Sequence, residues 1–208
     1  MKNKISLLVI ALSAGASIVF AGVNVQSRGS FSALGNTAIT TIPASSGASI
    51  RDVTLSASVE SNKTLTVYRP RYTTETAAAI ANSTTATVYC PSASNTVSGF
   101  SPTTSDFLLV RTEGTQGYQL RQISSISSYN TTTKVQTYVL ASAVTAADGD
   151  PVYVVDATDN VAIPLTTGSA VIPYRYMFTG FTGQPVTLSL AAGAGASSSI
   201  SGTYDIEK

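Results

Sequence analysis

Apolar and polar residues alternate with a period of two through most of this chain. Val53, Leu55, Ala57 and Val59 fall on one side of an extended backbone, and Thr54, Ser56 and Ser58 on the other; this is the pattern of a half-buried β-strand. Similar runs are expected at 64–69, 85–90, 106–112, 118–126, 134–140, 151–156, 161–165, 175–182, 185–190 and 203–206. They are rich in Val, Thr and Tyr, which pack well on a pleated surface. Many short strands separated by turn residues predict an all-β fold, an antiparallel sandwich or barrel, either jelly-roll-like or built as two small β modules. The alternation places Val53, Leu55, Val59, Leu65, Val67, Val88, Leu108, Val110, Leu120, Ile123, Val135, Val139, Val152 and Val154 in the core. One short helix is expected over Glu75–Ala81 with Thr74 as its cap. SPTTSD around Pro102 marks a boundary between modules 22–100 and 101–208, unless the sandwich is continuous. Ala191–Gly202, AAGAGASSSISG, is flexible by composition and suited to serve as an arm.

The first 21 residues follow a different rule. Lys2 and Lys4 precede an apolar run that closes on Val19 and Ala21, the layout of a secretory signal peptide whose removal would leave Gly22 first. The stretch Ile5–Ala21 is also about the minimum length that spans a bilayer, so an uncut anchor is a competing reading of the leader, and an apolar arm packed on a neighbouring subunit a third. An exported, extracellular or virion location follows. The 208 residues are 43% apolar, enough to fill a core, yet only 11% are charged. Ser, Thr, Asn and Gln must therefore make most of the surface polar. A net charge of +1, turning to −1 if Lys2 and Lys4 leave with the leader, supplies no field for nucleic acid or anionic lipid. Membrane contact is expected only if the leader stays attached.

Chemistry is narrowed mainly by what the chain lacks. With no histidine, Ser-His-Asp and Cys-His machinery cannot be built. Cys90 is the only cysteine, so thiolate and imidazole zinc sites and intrachain disulfides are excluded as well. Cys90 itself reads as a small buried core residue or as one half of an intermolecular disulfide. Lys63 and Lys134 do not sit in an SxxK spacing, and the 11 acidic residues show no pairing of the glycosidase kind. No enzyme is expected. The densest acidic group, Asp148, Asp150, Asp156 and Asp159 with Asn160 adjacent, offers the oxygen ligands that calcium takes; turn chemistry explains the same residues, and no other cofactor is expected. Arg69, Arg71 and Tyr72 in VYRPRY, and Tyr174, Arg175 and Tyr176 in PYRY, pair arginines with aromatics. Interfaces favour that pairing, so Arg69, Tyr72, Arg175 and Tyr176 are the candidate contact residues. Asn62, Asn82 and Asn130 each open an N-x-S/T sequon.

From Asp106 the run DFLLVRTEGTQGYQLRQISSISSYNTTTKVQTYVLASAVTAADGDPVYVVD places a strand, a hairpin around Tyr129–Thr133, another strand, a loop and then a GDPVY strand. In this rhythm the C-terminal half resembles the small β-barrel modules of tailed-phage virion structural proteins, and SGTYDIE is similar to the closing strand of some of them. The resemblance implies a non-enzymatic part that decorates a capsid or joins head and tail components. The expected function is thus structural: a homo-oligomer or part of a larger particle, with no nucleic acid and no small-molecule substrate. The second reading is an exported bacterial cell-surface protein that binds glycan or a host component.

Overall fold

The computed structural model describes residues 25–35, 38–43, 47–91, 95–112, 117–127, 129–174 and 180–207. The leader lies outside them. Among the described residues fourteen strands run in order: β1 (Val25–Leu34), β2 (Ile39–Ile42), β3 (Ser49–Val59), β4 (Lys63–Tyr68), β5 (Tyr72–Glu75), β6 (Ile80–Tyr89), β7 (Phe107–Thr112), β8 (Gly117–Ile126), β9 (Val135–Ala146), β10 (Pro151–Val155), β11 (Val161–Leu165), β12 (Gly168–Tyr174), β13 (Val186–Leu190) and β14 (Ser199–Glu207). All their pairings are antiparallel.

Strands from the two ends of the chain form a sandwich. One sheet has the order β1-β14-β3-β12 and the other β11-β4-β13-β2. Their inner faces share one core, with Phe31, Val53, Leu55, Val59 and Ile200 from the first sheet meeting Leu65, Val67, Ile163, Val186 and Leu188 from the second. Two glycines let the first sheet lie close. A Cβ at Gly202 would collide with the Thr54 carbonyl, and Gly29 lies beneath the Tyr204 ring.

The middle of the chain forms a six-stranded sheet in the order β5-β10-β7-β8-β9-β6. Its two ends meet, because Thr76 bridges Val88 and the Ala77 amide donates to the Thr87 carbonyl at 2.9 Å, so the sheet curls into a barrel. Val88, Cys90, Leu108, Val110, Ile123, Tyr138, Leu140, Val152 and Val154 fill the interior. A third, smaller cluster lies outside the barrel wall. Leu109, Tyr153 and Val155 are buried there, with Phe107, Tyr118, Leu120 and the sandwich residue Tyr68 packed against them. Strand β10 is therefore buried on both faces.

Most of the expected strands are present, and the differences have local causes. The Glu75–Ala81 helix does not form. Thr74 and Glu75 belong to β5 and Ile80 opens β6, while the Thr76 amide donates to the Asp150 carbonyl at 3.0 Å and its hydroxyl to the Ala147 carbonyl at 2.6 Å. Barrel closure takes the groups that a first helical turn would use. Of the strand expected at 175–182, residues 175–179 lie outside the described residues and 182–183 form a turn; the strand that pairs with β3 ends at Tyr174. In β9 the inward face is Gln136, Tyr138 and Leu140, leaving Val135 and Val139 half-buried. Gln136 is tolerated inside because its amide donates to the Ser127 and Thr137 carbonyls. Leu120 is half-buried in the outer cluster and not in the barrel interior. The cut expected at residue 101 falls within the barrel sheet, between β6 and β7.

Ala191–Gly202 is not an arm. Its first part is a loop with Gly193 and Gly195 at positive φ, buried Ala194 and Ser198, and a Ser198 hydroxyl donating to the Ala194 carbonyl at 2.6 Å. The Glu60 amide donates to that same carbonyl at 3.0 Å. From Ser199 the segment is already β14.

Candidate functional site: an open edge and a clasped junction

Two short crossings join sandwich and barrel. Residues 69–71 lead from β4 to β5, and residues 156–160, which include a single 3-10 turn at Ala157–Asp159, lead from β10 to β11. The pairings Val161 with Val67 and Val154 with Tyr72 bring the two crossings side by side. Asp159 ties them together. Its carboxylate forms an ion pair with Arg71, whose Nη2 donates to Oδ1 at 3.0 Å, and its carbonyl accepts from Arg69 Nε and Nη2 at 3.3 and 3.2 Å. Both guanidinium groups lie over the Phe181 ring, at 4.5 Å for Arg71 and 5.7 Å for Arg69. Gln184 Nε2 donates to Thr73 Oγ1 at 2.6 Å, and Tyr68 meets Phe107 at a centroid distance of 5.0 Å. Buried Asp106 anchors the second crossing from the barrel side: Oδ1 accepts from the Ala157 amide at 2.8 Å, while Oδ2 accepts from the Thr103 amide and hydroxyl.

This arrangement places the residues singled out in the sequence. Arg69 belongs to the clasp. Tyr72 stacks on Phe100 at 4.6 Å against the barrel core, so its ring is engaged within the chain. Arg175 and Tyr176 lie outside the described residues. The four aspartates are not brought together. Asp148 and Asp150 sit in the β9–β10 turn, where Asp150 Oδ2 accepts from the Ala147 amide at 2.7 Å, and the whole of β10 separates them from Asp156 and Asp159. Asp156 caps the 3-10 turn by accepting from the Thr158 amide and hydroxyl, and Asp159 holds the arginines. Among the described residues no group of three or more acidic, Cys or His side chains is placed to hold a metal.

The remaining candidates are also occupied structurally. Cys90 is fully buried with Sγ 4.0 Å from the Tyr138 hydroxyl. Burial pushes both the thiol and the Tyr138 hydroxyl up from their ordinary pKa values, which suits an inert core thiol and not a nucleophile. Asn62 Oδ1 accepts from the Thr167 amide and hydroxyl, Asn82 takes positive φ at an irregularity in β6, and Asn130 caps the turn before β9.

Sequence reading missed the edge of the sandwich. Strand β1 is 10 residues long and pairs on one side with β14; among the described residues nothing pairs with its other side. Phe31 faces the core, while Arg28, Ser30, Ser32 and Leu34 are exposed. Arg28 reaches across to Asp205 at 2.8 and 3.2 Å, and this partner holds the Asp205 carboxyl below the usual carboxylate range. At the end of β1 Leu34 is 79% exposed, and at the start of β2 Ile39 is 48% exposed. Among the described residues β1 and β2 are outer strands of the two sheets, and they touch each other. The missed signal is Leu34 and Ile39 flanking Gly35 in an otherwise Ser/Thr-rich stretch.

No family model and no curated protein matches the chain. Among solved structures it is similar to the VP16-VP17 complex of the two major capsid proteins of bacteriophage P23-77, with 13% identity over 88% of this chain and 99% of that chain and a TM-score of 0.25. It is likewise similar to VP17, a capsid protein of the same phage, with 13% identity over 88% of this chain and 96% of that one and a TM-score of 0.24. These structural neighbours are capsid proteins, and likeness at such TM-scores carries no weight for how this chain works.

Proposed function

We propose that the chain is a non-enzymatic structural subunit that assembles with copies of itself into a larger particle of virion type. The supporting observation is β1. A long strand with one edge unpaired among the described residues, no proline and one charged residue presents a row of backbone donors and acceptors that natural sheets usually blunt with charge or cover. An edge left open, with apolar Leu34 at its end, is suited to strand addition from a neighbour. The groups that offered chemistry support the same reading: Cys90 is buried, and Asp150, Asp156 and Asp159 are engaged in turns and the clasp.

Light scattering and electron microscopy of the full chain test this. The wild type is expected to form oligomers or particles. The double variant Ser30→Lys, Ser32→Lys puts like charges on the exposed face of the edge and is expected to stay monomeric with unchanged strand circular dichroism. A monomeric wild type at high concentration, or a variant that assembles equally well, overturns the proposal.

A further inference from the structure

On the outer wall of the barrel, away from the interior core, lies an open groove of about 740 Å3 lined by Ala77, Ala78, Thr87, Tyr89, Asn130, Thr133, Val135 and Thr137. Its floor consists of two cross-strand pairs, Thr87 opposite Thr137 and Tyr89 opposite Val135. One wall is the Ala77–Ala78 segment, held by the Ala77 amide on the Thr87 carbonyl. The other is the turn before β9, which Asn130 caps with its side-chain oxygen; its amide nitrogen remains free to donate.

Two properties define what fits. Among the described residues no charged side chain lines the groove, so nothing in that lining compensates the desolvation of an ion. The hydroxyls of Thr87, Thr133, Thr137 and Tyr89 make no hydrogen bond with other described residues, whereas the Thr74 hydroxyl donates to the Tyr89 carbonyl. We infer that this groove binds a neutral carbohydrate. A sugar ring offers an apolar C–H face for an aromatic such as Tyr89, 38% exposed, and hydroxyls that exchange donors and acceptors with threonines and an amide. This goes beyond the assembly role and does not depend on it, since β1 belongs to the other unit.

The test is saturation-transfer NMR on the full chain with neutral oligosaccharides of the gluco, galacto and N-acetylhexosamine series, and with a sulfated oligosaccharide as the charge control. At least one neutral series is expected to bind. Tyr89→Ala should weaken it about tenfold, the usual worth of an aromatic contact. Thr137→Val, which keeps the shape and removes one hydroxyl, should weaken it by a smaller factor, and the Ser30→Lys, Ser32→Lys variant should bind like the wild type. Binding by none of the neutral series, preference for the sulfated sugar, or Thr137→Val and a folded Tyr89→Ala that both bind unchanged overturns the inference. Loss of assembly in the β1 variant with sugar binding retained would show the two surfaces to be separate.

Discussion

The sandwich and the barrel solve the same problem in opposite ways. Both bury alternating residues of antiparallel strands, but the barrel draws its strands from one continuous stretch, 72–155, and meets itself at Thr76 and Val88. The sandwich is made from strands within 25–68 and 161–207 and, among the described residues, keeps outer edges at β1, β12, β11 and β2. A closed sheet hides its backbone groups, whereas an open one leaves them for a partner. Strand pairing between molecules is thus available to the sandwich, and the barrel is left to present side chains, as it does in the groove.

The comparison breaks if the two cores are energetically one. Leu55→Ala in the sandwich and Leu108→Ala in the barrel each remove a fully buried side chain and should each cost about 2–5 kcal/mol. Hydrogen exchange is expected to show the loss of protection mainly in the unit carrying the change. Equal loss in both units after either substitution would mean a single core. A sharper test is the clasp: Asp159→Asn leaves the carbonyl contact to Arg69 but removes the ion pair with Arg71. For a pair with a partly exposed arginine the expected cost is about 1 kcal/mol in denaturant unfolding, shrinking in high salt. A change of several kcal/mol would show that the clasp and not the Tyr68–Phe107 packing holds the units together.

The smallest effect concerns pH. Arg28 depresses the Asp205 carboxyl, so its stabilising contribution is present above the ordinary aspartate pKa of about 4 and is lost as pH falls through the lower folded value. Asp205→Asn should flatten that acid limb in urea titrations of the sandwich and leave barrel protection unchanged. An acid limb of the same size in the variant would assign it to other carboxylates.

How far the sequence could be read depended on the range of the interactions. Period-two runs located β3, β4, β7, β8, β10, β11 and β13 because each strand carries its own pattern. The pattern misled in β9, where a buried, hydrogen-bonded Gln136 breaks the rule that polar residues face out, and at Leu120, where the barrel wall is covered on its outer side too. The clasp was half legible: Arg69 and Asp159 stood out as chemistry, but they lie 90 residues apart, and no local spacing could show that they answer each other. The interleaving of the two units was hidden for the same reason, since β1 and β14 meet only through the fold.

The pairing of β14 with both β1 and β3 sets the order in which a growing chain can become structured. Arg28 and Asp205 are separated by 177 positions, so the first sheet of the sandwich must wait until β14 has been synthesised. The barrel is complete in sequence at Val155, roughly several seconds earlier at ordinary rates of synthesis. The order of synthesis thus allows the barrel to become structured ahead of the sandwich. Because β1 gains its pairing partner only when β14 arrives, a chain that has reached only the barrel cannot yet offer that edge in the docking proposed above.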